Sequence, residues 1–245
     1  MLRCVLFFCV LLTSGNPPAV KHTKASLKTV YLTFDDGPMQ GSELIDSVAL
    51  AEQLRLNVFL VGAHVMENPQ LKNYFGLYEQ NPYIECYNHS YTHAHNKYTG
   101  FYKDPAGVLA DIQKNELLLH LKYKIVRLPG RNIWRTGNRK KDDGAGGAAA
   151  ADLLAANGYK LYGWDAEWRH QAKDGEPVQT AAQILLEIER LLNSGKTFTK
   201  DHIVILLHDE MFKKKWEETA LKQLIDSLRT RDNYIFEHIR FYPDQ

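Results

Sequence analysis

The sequence contains few cysteines, which argues against a disulfide-stapled fold. Three cysteines occur in 245 residues, and two of them, Cys4 and Cys9, lie in the apolar run at the N-terminus. If that run is cleaved, Cys86 remains alone and no disulfide can form within the chain. A lone cysteine inside an apolar stretch such as 83–87 is usually a buried small hydrophobe, so catalysis by a cysteine nucleophile is not expected.

An excess of charge of one sign is also missing. Lys and Arg number 30 and Asp and Glu number 29, so the net charge is +1 and there is no global reason to expect nucleic acid as a partner. Hydrophobic residues make up 44% of the chain and charged residues 24%, a balance that allows one large buried core. We expect a globular, monomeric protein.

No apolar run is long enough to cross a bilayer comfortably. Residues 1–15 combine one positive charge, a short apolar stretch and small residues, which predicts a signal peptide cleaved near Asn16. An uncleaved anchor or a buried helix is the alternative. Residues 16–28 are predicted to form a polar lead-in, and the mature protein is predicted to be exported, either secreted or periplasmic.

Apolar segments with strand character alternate with amphipathic helical segments along residues 29–245. Seven strands are predicted, at 29–34, 57–62, 83–87, 124–128, 159–164, 202–207 and around 234–238. This alternation is typical of a parallel sheet wrapped by helices. We therefore predict one α/β domain, a distorted (β/α) barrel of seven parallel strands, with an open doubly wound sheet as the alternative.

Unusual polar residues follow these strands at their C-terminal ends. They are Asp35 and Asp36, His89 and His93, Arg127, Asp165 and Glu167, and His208 and Asp209. In a parallel barrel the C-terminal ends of the strands form one rim, and active sites are built there. Five groups of polar residues at one rim indicate an active site. The polar, basic segment 131–147 is interpreted as a long loop over this site.

Asp35 and Asp36 are adjacent carboxylates at the end of the first strand. Successive strand residues point to opposite sides, so one carboxylate could bind a metal while the other faces the substrate. An ordinary Asp-Gly turn is the alternative. His89 and His93 are spaced as two metal ligands would be if the segment turns helically. With Asp36 they would complete a two-His, one-carboxylate site for one divalent metal, and His95 is the alternative to His93.

Five segments, taken in order, resemble the five motifs of the polysaccharide deacetylases. They are TFDDGP at 33–38, HSYTH at 89–93, RLPG at 127–130, WDAEW at 164–168 and LLHD at 206–209. This family, carbohydrate esterase family four, includes chitin, peptidoglycan and xylan deacetylases. The resemblance covers roughly residues 29–209, and the first, second and fifth motifs are specific.

The resemblance implies a metal-dependent N- or O-deacetylase on a distorted barrel. It implies that Asp36, His89 and His93 bind the metal, which is usually Zn2+. Asp35 would act as the base toward the attacking water. His208 would act as the acid that protonates the leaving amine.

The resemblance also implies supporting and substrate-binding residues. Arg127 would orient the catalytic base, and the backbone N–H of Gly130, after Pro129, would help to hold the oxyanion. Trp168 and Leu206 resemble the pocket for the acetyl methyl group, although a buried tryptophan is equally common in an ordinary core. Trp134 and its basic neighbours could stack on sugar, with a solvated basic loop as the alternative.

Two motifs depart from the family pattern. The third motif has Gly130 where the family usually has an aromatic residue, so one wall of the substrate groove is missing. The fourth motif has Glu167 where the family usually has the aspartate that supports the acid histidine. Either Glu167 reaches His208 or Asp165 takes its place, and such support is expected to keep His208 protonated to higher pH.

We therefore expect a hydrolase that uses a metal-activated water to remove acetyl groups from an N-acetylated glycan, such as a chitin oligomer or peptidoglycan. One alternative is a glycan-binding protein that kept the fold but lost turnover. Another is a hydrolase of xylan acetyl esters or of a small amide. Asp35 and His208, at the ends of the first and sixth predicted strands, are expected to face each other across the barrel mouth.

Overall fold

The computed structural model describes residues 26–215 and 218–244. The predicted signal peptide, residues 1–15, and residues 16–25 of the predicted lead-in lie outside the described residues. No helix in the described part of the chain is both long and apolar enough to cross a membrane.

Ten strands and eight α-helices are described. The strands are β1 (Lys28–Gly37), β2 (Leu56–Leu60), β3 (Ile84–Asn88), β4 (Ile125–Val126), β5 (Trp134–Thr136), β6 (Arg139–Lys141), β7 (Lys160–Leu161), β8 (Ala166–Glu167), β9 (His202–His208) and β10 (Tyr234–Phe236). The helices are α1 (Ser42–Glu52), α2 (Gly62–Glu67), α3 (Pro69–Gln80), α4 (Tyr98–Phe101), α5 (Pro105–Leu118), α6 (Ala148–Ala156), α7 (Ala181–Ser194) and α8 (Ala220–Arg229).

Seven strands form a continuous parallel sheet in the order β7-β4-β3-β2-β1-β9-β8. Between residues 26 and 215 no ladder joins β7 to β8, so the curled sheet remains an open, distorted barrel. The prediction of a distorted barrel with seven parallel strands is confirmed. All seven predicted strands form parallel pairings, and β8 is an additional parallel strand; β10 lies off the continuous path because it pairs only with the first residues of β1.

Side chains of β1 alternate between the barrel interior and the helical layer. Tyr31 packs inside the barrel with aromatic side chains of other strands, whereas Leu32 and Phe34 pack against the helices. Since side chains alternate along a strand, Thr33 and Asp35 share the interior side with Tyr31. The strand therefore delivers Asp35 to the open end of the barrel interior.

Local signals explain where the helices begin. Asp104 precedes Pro105 of α5, and its side chain accepts a hydrogen bond from the backbone N–H of Gly107 at 3.0 Å. Thr180 and Gln183 form a reciprocal capping box at the start of α7. Capping residues of this kind satisfy backbone N–H groups that have no partner within the helix.

The segment 131–147 is more ordered than a simple loop. It contains the antiparallel hairpin β5–β6, which extends the sheet beyond β7. Trp134 is fully buried and stacks on Phe198 with ring centroids 4.3 Å apart. Arg135 pairs with Asp142 and Asp152 at 2.5 and 2.7 Å. Trp134 is thus a core residue and is not available to stack on sugar.

Candidate metal centre and active site

Asp36, His89 and His93 converge at the C-terminal rim of the sheet. The Nε2 atoms of His89 and His93 lie 3.2 and 2.9 Å from Oδ1 of Asp36. One ligand atom from each of the three residues lies within 4.8 Å of the others. The structure therefore brings together the three predicted metal ligands.

Hydrogen bonds orient both imidazole rings. Nδ1 of His89 lies 2.9 Å from the carbonyl oxygen of Arg127, and Nδ1 of His93 lies 3.1 Å from Oδ1 of Asn96. Because a carbonyl oxygen can only accept, each Nδ1 donates a proton, and Nε2 is the nitrogen that faces the cluster. Partners of this kind commonly fix the tautomer of histidines that bind metals.

The charge on Asp36 suits a cation. Burial alone would raise the pKa of Asp36, but the neighbouring His89 and His93 outweigh burial and hold this pKa well below its usual value. Oδ1 of Asp36 is buried and lacks a hydrogen bond of acceptable geometry, although two imidazole nitrogens lie close to it. Two imidazoles that present Nε2 and one buried carboxylate oxygen form a donor set that fits a divalent metal.

The backbone around Asp36 brings both adjacent carboxylates near the same histidine. The β1–β2 register shifts between Phe34 and Gly37, and Asp36 has a φ of 65°. Such an irregularity redirects a side chain. As a result Oδ2 of Asp35 lies 3.7 Å from Nε2 of His89, which also contacts Asp36. The expectation that simple strand alternation separates the two carboxylates is therefore wrong.

The His89–His93 spacing suggested that the segment after β3 turns helically. The structure shows instead that it does not. Ser90 has a φ of 72°, and residues 93–96 all have φ values between 45° and 58°. Asp111 accepts hydrogen bonds from the backbone N–H groups of Tyr91 and Thr92, and Ser90 Oγ accepts one from His93. These contacts hold a left-handed turn.

His95 lies on the same turn as His93 but is exposed and outside the ligand cluster. The turn thus presents His93, and not the alternative His95, to the site.

Arg127 fixes the orientation of Asp35. Nη1 of Arg127 donates to Oδ1 of Asp35 at 2.8 Å and to Oγ1 of Thr33 at 2.7 Å. Nε and Nη2 donate to the carbonyl oxygens of Tyr162 and Gly163 at 3.1 and 2.8 Å. Arg127 is fully buried. One oxygen of Asp35 is therefore occupied by the guanidinium, and the other faces His89.

His208 ends β9 at the position paired with Asp35 of β1. The two residues therefore lie on neighbouring strands. The prediction that they face each other across the barrel mouth is wrong. Nε2 of His208 lies 3.9 Å from Oδ2 of Asp36, while Nδ1 is buried without a hydrogen-bond partner. Burial lowers the pKa of His208, and the nearby Asp36 and Asp35 offset this only in part.

Neither Glu167 nor Asp165 forms an ion pair with His208. Within residues 26–215 and 218–244, Asp36 supplies the sole carboxylate within 4.0 Å of a His208 ring nitrogen. Asp165 instead accepts hydrogen bonds from the backbone N–H groups of Phe198 and Val204 at 2.6 and 2.9 Å. Burial still raises the pKa of Asp165 to about 6. The expected support that keeps His208 protonated to higher pH is thus absent.

Two histidines that sequence reasoning missed lie at the site. His64 follows β2, and its Nδ1 lies 2.9 Å from the carbonyl oxygen of Asp36. His170 follows β8, and its ring centroid lies 4.5 Å from that of His208, while its Nε2 pairs with Glu210 at 2.9 Å. Both residues follow the C-terminal ends of parallel strands, so the rim argument applied to every strand could have found them.

Asp209, the last residue of the fifth motif, is fully buried behind the first motif. Its Oδ2 accepts hydrogen bonds from Ser42 at 2.5 Å and Tyr78 at 2.8 Å, whereas Oδ1 has no partner. Burial raises the pKa of Asp209 to about 7. A Cβ at Gly41 would come within 2.1 Å of the Asp209 carbonyl oxygen, so the chain needs glycine there.

The predicted substrate-binding residues divide into two groups. Leu206 shares the barrel-interior side of β9 with His208, directly below the site, and Gly130 is exposed at the rim beside the buried Pro129. Trp168 is fully buried in the layer between sheet and helices, and its Nε1 donates to the carbonyl oxygen of Gln179 at 2.8 Å. This position agrees with the alternative that Trp168 is a core residue.

Known proteins provide three comparisons. The family model described as polysaccharide deacetylase matches residues 22–136. A peptidoglycan-N-acetylglucosamine deacetylase of Bacillus cereus is 26% identical over 193 residues, which are 74% of this chain and 60% of that relative. This chain therefore spans less than two thirds of the length of that relative.

Solved structures show the same fold. The catalytic domain of a peptidoglycan N-acetylglucosamine deacetylase from Eubacterium rectale aligns with a TM-score of 0.60 and 19% identity, over 87% of this chain and 91% of that one. A CE4 esterase from Streptococcus mutans aligns with a TM-score of 0.60 and 22% identity, over 86% of this chain and 85% of that one.

The match to the family model contains the first three motifs. These motifs supply the three clustered ligands as well as Asp35 and Arg127, and the fold of the solved structures extends over the remaining motifs. The family-model match, the curated relative and the solved structures together support the polysaccharide deacetylase family.

Proposed function

We propose that this protein is a metal-dependent hydrolase that removes acetyl groups from an N-acetylated glycan. The observation that carries the proposal is the cluster of Asp36, His89 and His93 next to Asp35 and His208 at one rim. Relatives with the same fold are named as peptidoglycan N-acetylglucosamine deacetylases, which supports an acetylated amino sugar as the substrate.

We propose Zn2+ as the metal, because two imidazoles and one carboxylate form a ligand set that zinc favours while open positions remain. A divalent cation held there would polarise the acetyl carbonyl group and make a nearby water more acidic. His89 and His93 would bind through Nε2, since each Nδ1 is occupied by a hydrogen bond.

Asp35 is suited to accept the proton of the attacking water. Its Oδ1 is held by Arg127, so Oδ2, which lies 3.7 Å from Nε2 of His89, is the oxygen that faces the cluster. A base fixed in this way can take a proton without first reorienting.

His208 is suited to donate a proton to the leaving nitrogen. An amine is a poor leaving group unless it is protonated as the carbon–nitrogen bond breaks. Nε2 of His208 faces the ligand cluster, 3.9 Å from Asp36, and is the nitrogen that would donate. The overall reaction consumes one water and releases acetate and the free amine.

The acetyl group is proposed to point toward Leu206. This side chain is 4% exposed and lies two residues before His208 on the same side of β9. A small apolar floor below the catalytic groups would accept a methyl group and exclude a longer acyl chain.

We also propose that the protein is exported. The apolar run within residues 1–15 and the small residues that follow it support cleavage near Asn16. Mass spectrometry of protein recovered outside the cytoplasm should then find a chain that starts near Asn16. An intact Met1 on cytoplasmic protein would contradict export.

A substrate panel tests the proposed activity. Acetate release should be observed with chitin oligomers or peptidoglycan, and not with the Asp35→Asn variant of the same preparation. Acetylated xylan and a small N-acetyl amide separate the other substrate classes. Tight glycan binding without acetate release from any substrate would instead indicate a binding protein.

A further inference from the structure

Tyr98 places an aromatic ring beside the candidate metal centre, at a point to which no function has been assigned. It begins α4, directly after the left-handed turn that carries His93. Its ring meets the ring of His93 edge-on, with centroids 5.8 Å apart and an interplanar angle of 89°. The residue is half-buried, so part of it is accessible to solvent.

The ring of Tyr98 also covers Gly130. A Cβ built on Gly130 would lie 3.3 Å from two ring carbons of Tyr98, which is tighter than an ordinary contact. Gly130 has a φ of 61°, a conformation that disfavours other residues. A side chain at position 130 would therefore begin in the space that Tyr98 occupies. The Tyr98 ring can occupy this space because residue 130 is a glycine.

Several contacts hold the ring in place. The Tyr98 hydroxyl donates to Oδ1 of Asn96 at 3.3 Å, the same oxygen that orients His93. The guanidinium of Arg131 lies 5.7 Å from the Tyr98 ring and 4.7 Å from the Tyr102 ring. Arg131 is itself buried and donates to the carbonyl oxygen of Gly130 at 2.7 Å. The ring is thus preorganised and does not depend on a flexible loop.

We propose that Tyr98 is a specificity-determining residue that stacks against a pyranose ring of the glycan and forms the groove wall beside the metal centre. The apolar face of a sugar ring packs well on a rigid aromatic ring that keeps its hydroxyl at the wet edge. This inference rests on the proposed glycan deacetylase function. Tyr98 takes no part in proton transfer, so it should act on glycan binding and not on the bond-breaking step.

The test compares two substrates in three variants. Tyr98→Leu should lower kcat/KM for a chitin oligomer relative to kcat/KM for 4-nitrophenyl acetate, which carries no sugar, by about tenfold, the order expected for one aromatic contact. The loss should appear in KM. Tyr98→Phe, which keeps the ring, should preserve the ratio. Phe241→Leu is the matched control, since Phe241 is an exposed aromatic outside the site.

Two other readouts separate stacking from a structural role. Metal content by elemental analysis should stay the same in Tyr98→Leu. A shared loss of metal and of activity on both substrates would show that Tyr98 acts through His93 and would overturn the proposal, as would an unchanged substrate ratio. Calorimetric binding of the same oligomer to the Asp35→Asn protein should weaken about tenfold when Tyr98→Leu is added. This binding assay shows whether Tyr98 contributes to glycan binding even if the proposed hydrolysis is not observed.

Discussion

Asp35 and His208 occupy paired positions on the neighbouring parallel strands β1 and β9. The backbone ladder between these strands runs from Thr29 and His202 up to this pair, so their spacing is set by regular sheet geometry. Asp36 lies between them and the two histidines that follow β3, and it completes the cluster. Sites built on strands hold their groups more accurately than sites built on loops.

Removing either proton-transfer group should slow amide hydrolysis without removing the metal. Asp35→Asn and His208→Ala should each lower the rate on an N-acetylated oligomer by about 10²–10⁴-fold. His208→Ala should lose much less on 4-nitrophenyl acetate, because nitrophenolate leaves without being protonated. Near-normal turnover of the oligomer by His208→Ala would remove His208 from the mechanism.

The pH dependence should reflect the unsupported His208. Its pKa is lowered by burial, and an acid must be protonated to act, so kcat/KM on an amide should fall as pH rises through that lowered pKa. The alkaline limb is therefore expected at lower pH than a histidine of ordinary pKa would give. The limb should be absent for 4-nitrophenyl acetate. An alkaline limb well above the ordinary histidine pKa would mean that a carboxylate does support His208.

Arg127 should be important for stability as well as for activity. Replacing it with methionine leaves Asp35 and two backbone carbonyl oxygens buried without their donor, and removing one partner of a buried ion pair costs about 3–5 kcal/mol. Urea unfolding should show this loss. Arg55→Met is the control, because Arg55 is 51% exposed in its pair with Glu237 and such pairs contribute about 0–1 kcal/mol. Equal losses in the two variants would contradict the structure.

Asp209 should make folding less favourable as pH rises. Its pKa is raised from 3.8 to about 7 in the folded protein. The contribution is fully present below pH 4 and is lost as pH rises through 7, because the unfolded chain releases the proton first. The free energy of unfolding of the wild type should fall relative to that of Asp209→Asn by up to about 1.4 kcal/mol per pH unit over this window.

The pH effect of Asp209 can be measured from urea midpoints at several pH values, with a chelator present so that metal binding does not contribute. Parallel pH curves for the wild type and Asp209→Asn would show that the buried carboxyl group is ionised throughout.

Metal content should report the ligand cluster directly. Asp36→Ala, His89→Ala and His93→Ala should each lose the metal while circular dichroism and the melting transition show a retained fold, because a catalytic site of this kind stabilises the chain only locally. His95→Ala is the matched control, an exposed histidine two residues beyond His93. Unchanged metal content in all three ligand variants would refute the assignment.

The sequence predicted which residues meet at the rim, because parallel strands place their C-terminal ends together and the strand character of the segments that form β1, β3 and β9 is visible in the sequence. It could not predict how Asp36 and His93 are aimed. Both have a left-handed backbone conformation. It depends on a bulge and on hydrogen bonds that the turn donates to distant residues such as Asp111. Strand periodicity therefore wrongly predicted that the side chains of Asp35 and Asp36 point to separate environments.

Other features depended on tertiary contacts that no local pattern records. The strand order places β9 beside β1, so the assumption that the first and sixth predicted strands lie opposite each other failed. Asp165 accepts hydrogen bonds from two backbone N–H groups, a role that its motif does not reveal. Segment 131–147 lacks long apolar runs, which concealed the hairpin that forms around Trp134.

Metal-dependent deacetylation is tested most directly by removing and restoring the metal while acetate release from a chitin oligomer is followed. The chelator-treated protein should be inactive, and added Zn2+ should restore acetate release until one metal is bound per chain. The Asp36→Ala protein should not recover at the same metal concentration. Acetate release that continues undiminished after chelation to metal-free protein would contradict the proposed mechanism.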